Sequence, residues 1–183
     1  MFARTKRLTL RPGWPEDAPA LAAAIGHEQV VDKLAHVPWP YGLEDAAGFL
    51  GMAHPPREPR FLVFESPTET PRLVGGAGIH AQEYGGEYQL GYWLTPDAWG
   101  RGYATEVGQQ LVDIARYTLG LQRLHAFHFV DNPASGRVLT KLGFRTTGRI
   151  EPRHSRARGG TAPAALFELD LDPGGQCEER LAA

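Results

Sequence analysis

The stretch Tyr88-Gln89-Leu90-Gly91-Tyr92-Trp93-Leu94, followed by Thr95-Pro96-Asp97 and then Trp99-Gly100-Arg101-Gly102-Tyr103-Ala104, decides how this chain is read. Its first part is aromatic and apolar enough for a buried strand. Thr95-Pro96-Asp97 ends the strand, and Tyr103, Val107, Leu111, Ile114 and Leu119 then recur at the spacing of a helix with one buried face. Glycines around a helix start let backbone N–H groups converge without interference from Cβ atoms, at the positive end of the helix dipole. That geometry suits a phosphate or a pyrophosphate. A glycine-punctuated turn entering a helix is the plainer alternative, and the stretch alone does not separate the two.

Working outward toward the N-terminus, Gly85-Gly86 marks a hairpin, with Leu73-Val74-Gly75-Gly76-Ala77-Gly78-Ile79 and Phe61-Leu62-Val63-Phe64 as the strands before it. No helical pattern follows Gly75, Gly76 and Gly78, so they read as close strand packing rather than a phosphate loop. Earlier still, Arg7-Leu8-Thr9-Leu10-Arg11 alternates as a strand stopped by Pro12. Helices are expected from Glu16-Asp17 to Ile25, around Gln29 to Leu34, and from Glu44 to Leu50. Pro38-Trp39-Pro40-Tyr41-Gly42 is a stiff loop, either a lid on the core or a wall of a binding pocket.

Toward the C-terminus, Leu124 to Val130 reads as a strand buried on both faces. A strand, a helix and a second strand in this order imply a right-handed crossover between parallel strands. Asn132-Pro133 is an N-cap followed by proline at the first helical position, Val138, Leu139 and Leu142 form the buried face, and Gly143 ends the helix. Phe144 to Ile150 and Ala165 to Leu171 are the last two strands. The segment Arg149 to Arg158 between them, with four arginines and His154, reads as a solvated loop able to attract an acidic substrate.

With 183 residues and ordinary apolar and charged fractions, the chain has the content of one globular domain over residues 1–172, with a disordered tail over 173–183. A net charge of −2 gives no general attraction to nucleic acid or membranes. No apolar run approaches the ~20 residues of a membrane span, and no signal peptide is expected, so a cytoplasmic protein is the default. Cys177 is the only cysteine, and no His-x-x-x-His motif or carboxylate cluster suggests a metal. A dinucleotide fold would need a third glycine where Thr105 stands, and no Gly-Lys-Ser/Thr triphosphate loop is present.

Taken together, several motifs resemble the GNAT superfamily of acyl-CoA-dependent N-acyltransferases over nearly all of residues 4 to 172. They are Arg7-Leu8-Thr9-Leu10-Arg11, Pro38-Trp39-Pro40-Tyr41, Glu44-Asp45-Ala46, Gly91-Tyr92-Trp93-Leu94, Gly100-Arg101-Gly102-Tyr103-Ala104-Thr105-Glu106, and Asn132-Pro133-Ala134-Ser135 through Leu142-Gly143-Phe144. Within the superfamily they are similar to the branch of bacterial N-terminal acetyltransferases of ribosomal proteins. The phosphate motif of the superfamily is a Gln or Arg, two residues, Gly, one residue, then Gly or Ala. Gly102 and Ala104 match it, and Trp99 takes the first place, as is common in that branch.

The resemblance implies an α/β fold, a mixed and mostly antiparallel sheet whose central parallel pair splays for CoA, with helices on both faces. It also implies an N-acetyltransferase using acetyl-CoA as co-substrate and a primary amine as acceptor, with a homodimer as one permitted assembly. Cofactor contacts fall on Trp93, Leu94, Thr95, Trp99, Gly100, Arg101, Gly102, Tyr103, Ala104, Thr105, Asn132 and Ser135, and acceptor contacts on Trp39, Tyr41 and Gln89. A backbone N–H near Leu94 is the expected donor to the developing oxyanion. Asn132 is equally explained as a helix cap.

Acetyl transfer needs a neutral amine, an activated carbonyl and a proton for the leaving thiolate. Members of the superfamily often place a glutamate where Gln89 stands, and many place a tyrosine where Leu139 stands. Three explanations remain: Glu87 acting through water, Ser135 protonating the sulfur, or an acceptor that needs little help. An α-amine of pKa about 7.8 is roughly one-third neutral near pH 7.5, whereas a lysine is only about 0.1% neutral. The sparse machinery therefore favours an α-amine of a protein N-terminus or another low-pKa amine. His80, His125 and His128 lie on predicted strands and read first as core or surface groups. A non-catalytic acyl-CoA-binding or sensing domain is the alternative from another class, and RNA binding through the arginines is disfavoured by net charge.

Overall fold

Alternation of apolar residues sorts the sheet into two buried faces. The computed structural model describes residues 1–53, 55–66, 71–82 and 87–171. Its strands are β1 (Ala3–Arg4), β2 (Leu8–Arg11), β3 (Arg60–Glu65), β4 (Leu73–Ala81), β5 (Tyr88–Leu94), β6 (Arg123–Phe129), β7 (Arg145–Ser155) and β8 (Gly160–Asp170). Its helices are α1 (Ala18–Ile25), α2 (Glu28–Val31), α3 (Leu43–Gly51), α4 (Tyr103–Asp113) and α5 (Pro133–Lys141). The strands form one sheet in the order β1-β2-β3-β4-β5-β6-β8-β7, antiparallel throughout except for β5 and β6, which run parallel.

On β3, Phe61 and Val63 point to one side and Leu62 and Phe64 to the other, as a strand period of two requires. The first pair joins a core with Leu90, Leu94, Val107, Leu111 and Leu139, which seats α4 and α5. The second pair joins Leu21, Ile25, Val31 and Ala46, which seats α1 to α3 on the opposite face. Fully burying a leucine or phenylalanine contributes about 1.5–3 kcal/mol, so each layer of helices is held by several such side chains.

Several expectations need correction. The periodic helix from Tyr103 does not run unbroken to Leu119: α4 ends at Asp113 and a π-helical turn occupies Ile114–Thr118. The Leu119 amide donates to Ile114 O at 2.9 Å, an i→i+5 bond that accounts for the five-residue step between the last two apolar positions. The strand at β6 is not buried on both faces, because Leu124, Ala126 and Phe129 are buried while His125, Phe127 and His128 are only half-buried. Arg149 to Arg158 is not a loop. Its first seven residues continue β7: Arg149 lies in the irregularity between Thr146 and Ile150, Ile150↔Ala165 to Ser155↔Gly160 pair with β8, and the turn at Arg156–Gly159 follows. As the edge strand, β7 tolerates Pro152, the residue that made the stretch look irregular. The second helix is shorter than expected and stops at Val31. The Gly85-Gly86 turn, Cys177 and the 173–183 tail lie outside the described residues.

Candidate active site

The edge of β5 facing β4 stays paired from Ala81↔Tyr88 to Gly75↔Leu94. Its other edge pairs with β6 only at Tyr88↔Leu124 and Gln89↔His125, so the two parallel strands part beyond Gln89. The Thr95 amide donates to Val74 O at 2.9 Å. Backbone groups alternate sides along an antiparallel ladder, so those of Tyr92 and Leu94 turn away from β4 and into the opening. The Leu94 carbonyl there accepts from Trp99 Nε1 at 2.9 Å. Among the described residues the amide of Leu94 and both backbone groups of Tyr92 have no strand partner on that side, which suits an extended, amide-rich ligand.

At the end of the opening, Gly100 and Gly102 have φ of 72° and 79°, a conformation that costs other residues about 1–2 kcal/mol. Gly102 is the N-cap of α4 and among the described residues no side chain caps the helix, so the amides of Tyr103, Ala104 and Thr105 are left for an anion. Side chains brace this turn from behind. Tyr103 Oη donates to Glu65 Oε1 at 2.9 Å and Arg101 Nη1 to the same oxygen at 2.6 Å. Burial works to raise the Glu65 pKa, but the bonds from Tyr103 and Arg72 and the neighbouring guanidiniums prevail and hold it low. Arg7 donates to the Arg101 carbonyl at 2.9 Å and pairs with Glu106 at 2.7 Å. The side chains of Arg101 and Tyr103 are therefore engaged in the scaffold, and what the turn offers is backbone N–H. The Thr95 hydroxyl is likewise spent on Asp97, at 2.6 Å.

Across the opening, α5 brings in Ser135. Asn132 caps that helix, its Oδ1 accepting from the Ser135 amide at 3.3 Å. Ser135 Oγ lies 2.9 Å from Tyr92 Oη, a pair of hydroxyls bridging β5 and α5. Burial raises the Tyr92 pKa and the bond to Ser135 opposes this. The sequence reading missed Tyr92, although its parity with Leu90 and Leu94 points it toward α5. Leu139 is buried in the core and presents no polar group.

The opposite face of the opening is built differently. Cross-strand partners there are Gly76↔Trp93, Gly78↔Gly91, His80↔Gln89 and, on β6, Gln89↔His125. The Trp93 indole covers Gly76, where an added Cβ would stand 2.5 Å from Nε1. At Gly91 a Cβ would meet only His80 Cε1, at 3.9 Å, so the floor there is open. Gln89 Nε2 lies 3.3 Å from His80 Nε2. Glu87 sits at the closed end of the parallel pair, 3.4 Å from His125 Nε2. Tyr41 packs into the same core as Trp93, and burial together with Asp45 pushes its hydroxyl pKa up to about 12. Trp39, preceding a cis Pro40, is exposed on the same loop as Tyr41. The root of that loop is pinned to the β7–β8 turn, where the Arg156 amide donates to Ala35 O and Ser155 Oγ to Leu34 O, each at 2.9 Å. Among the described residues no group of three metal-ligating side chains occurs, and no described helix is long and apolar enough to cross a membrane.

Comparison with known proteins finds relatives in sequence and in fold. The family model for an acetyltransferase (GNAT) domain matches residues 7–145. An uncharacterised N-acetyltransferase of Bacillus subtilis, YoaA, is 31% identical over 155 residues, covering 79% of this chain and 82% of the relative. A GNAT-family acetyltransferase structure from Bacillus anthracis superposes with a TM-score of 0.78 at 22% identity, covering 93% of this chain and 99% of that one. The ribosomal L7/L12 α-N-protein acetyltransferase RimL, solved with coenzyme A, has a TM-score of 0.75 at 18% identity, covering 94% and 99%.

Proposed function

This chain belongs to the GNAT family of acetyltransferases, and from that premise we propose that it transfers acetyl from acetyl-CoA to a primary amine of low pKa in the cytoplasm. The acceptor is the α-amine of a protein N-terminus or a small-molecule amine. The observation that carries the proposal is the parting of β5 from β6 beside an uncapped helix start: unpaired strand groups at Tyr92 and Leu94 open onto the amides of residues 103 to 105. The first set fits the amides of pantetheine, and the second fits a pyrophosphate.

In this reading acetyl-CoA supplies an acyl group activated as a thioester, and the chain supplies position and protons. The Leu94 amide faces the developing oxyanion. Trp99 holds the Leu94 carbonyl and so fixes the peptide that carries the strand into the phosphate turn. Ser135, hydrogen-bonded to Tyr92, delivers a proton to the departing thiolate. Tyr41 and Trp93, packed into one core, wall the acceptor side, Trp39 extends that wall from the same loop as Tyr41, and the open floor at Gly91 lies beneath the amine.

The test is thiol release from acetyl-CoA with a panel of amines. The panel comprises peptides with free N-terminal alanine or serine, N-blocked peptides carrying only a lysine amine, and small primary amines. Turnover with an α-amine or small amine at near-neutral pH, well above that with lysine, is the expected result. Tight acetyl-CoA binding without turnover on any amine would mean a sensing domain instead.

A further inference from the structure

We propose that His80 is the general base that receives the acceptor's proton, in place of the carboxylate missing at Gln89; this rests on the acetyl-transfer reading above. Three geometric facts place it. His80 is the cross-strand partner of Gln89, the last residue before β5 and β6 part. Its ring leans along the strand toward the opening, since Cε1 is 3.9 Å from where a Gly91 Cβ would stand. Its Nε2 is the nitrogen that faces the Gln89 amide, at 3.3 Å. An amide nitrogen only donates, so this ring nitrogen is the acceptor and the ring proton sits on Nδ1. The Gln89 side chain thus holds the imidazole in the tautomer a base needs.

The surroundings agree. Burial lowers the His80 pKa, and the neighbouring His36 and Arg60 lower it further, against an opposing pull from Glu58. The ring is therefore neutral at physiological pH and ready to take a proton. His125 occupies the same row on β6, but its Nε2 faces Glu87 at the closed end of the pair, away from the opening. In the proposed step the neutral amine attacks the thioester carbonyl carbon and a C–N bond forms. The nitrogen's surplus proton passes to His80 Nε2, replacing the Gln89 N–H as donor. The C–S bond breaks and the sulfur takes its proton from the Ser135–Tyr92 side.

The experiment measures kcat/KM against pH with the best amine of the panel, together with acetyl-CoA affinity. His80→Gln is expected to lose about 100-fold in kcat and to lose the acid-limb inflection, with acetyl-CoA binding unchanged. Added imidazole should restore part of the rate of His80→Ala. Gln89→Glu keeps His80 and places a carboxylate beside it, so the acid limb should move to higher pH. His80→Gln within threefold of the unaltered enzyme, or an acid limb unmoved by Gln89→Glu, overturns the proposal while leaving acetyl transfer intact. An unaltered chain that binds acetyl-CoA and turns over no amine overturns both readings.

Discussion

Replacing Tyr92 by Phe and Ser135 by Ala, singly and together, tests whether the two hydroxyls form one proton path. Their oxygens are 2.9 Å apart, where β5 faces α5. A general acid contributes about 100-fold or more to rate, and each tenfold corresponds to about 1.36 kcal/mol, so each single replacement should raise the barrier by roughly 2.7 kcal/mol. Two groups acting as one unit do not multiply. The double variant should therefore also lose about 100-fold, whereas independent contributions would give about 10,000-fold. Saturating thiol-release kinetics measure kcat for the four proteins, and titration of each with acetyl-CoA separates rate from binding. Ser135→Ala also strands the half-buried Tyr92 hydroxyl, at a cost to stability of about 1–3 kcal/mol, so thermal melts should show the loss in that variant. An unchanged kcat in Tyr92→Phe, or losses that multiply, would refute the shared path.

Three further outcomes follow from particular residues. Gly102→Ala forces a side chain onto a φ of 79°, costing about 1–2 kcal/mol; the melting temperature should fall by roughly 2–8 °C and acetyl-CoA affinity should drop with it. Gly91→Ala fits the strand, because its Cβ makes only ordinary contact, so the fold and acetyl-CoA binding should persist while KM for the amine rises. Glu106 is subject to burial that raises its pKa, but bonds from Thr5 and Arg7 prevail and lower it. Its stabilisation is thus present above the ordinary carboxylate pKa and is lost as pH falls through the lowered one. Glu106→Gln should be less stable than the unaltered chain by about 2 kcal/mol near neutrality and converge with it in acid, as read from denaturant melts across pH.

Periodicity and punctuation made most of the elements legible. Pro12, Pro96, Asn132-Pro133 and Gly143 mark real ends of strands and helices, because each acts through its own backbone geometry. The misread stretches are those whose fate depends on a neighbour. Arg149 to Ser155 looks like a loop until β8 pairs with it, and the five-residue step to Leu119 looks helical until the π turn accounts for it. The candidate site divides in the same way. Gly100, Gly102 and Asn132 are readable locally, whereas Tyr92 passes for core until α5 sets Ser135 against it.

The sequence by itself determined the two-faced sheet, the glycine turn into α4 and the family, because these depend on the spacing of residues along one segment. Only the tertiary structure decided how far β5 and β6 stay together, since a parallel register is set by contacts between residues 36 apart in the chain. That register brings His80, Gln89 and His125 into one row at the point where the strands part, and it turns Tyr92 toward Ser135 on the other face. The groups proposed to handle protons come from β4, β5 and α5, and no local pattern could have gathered them.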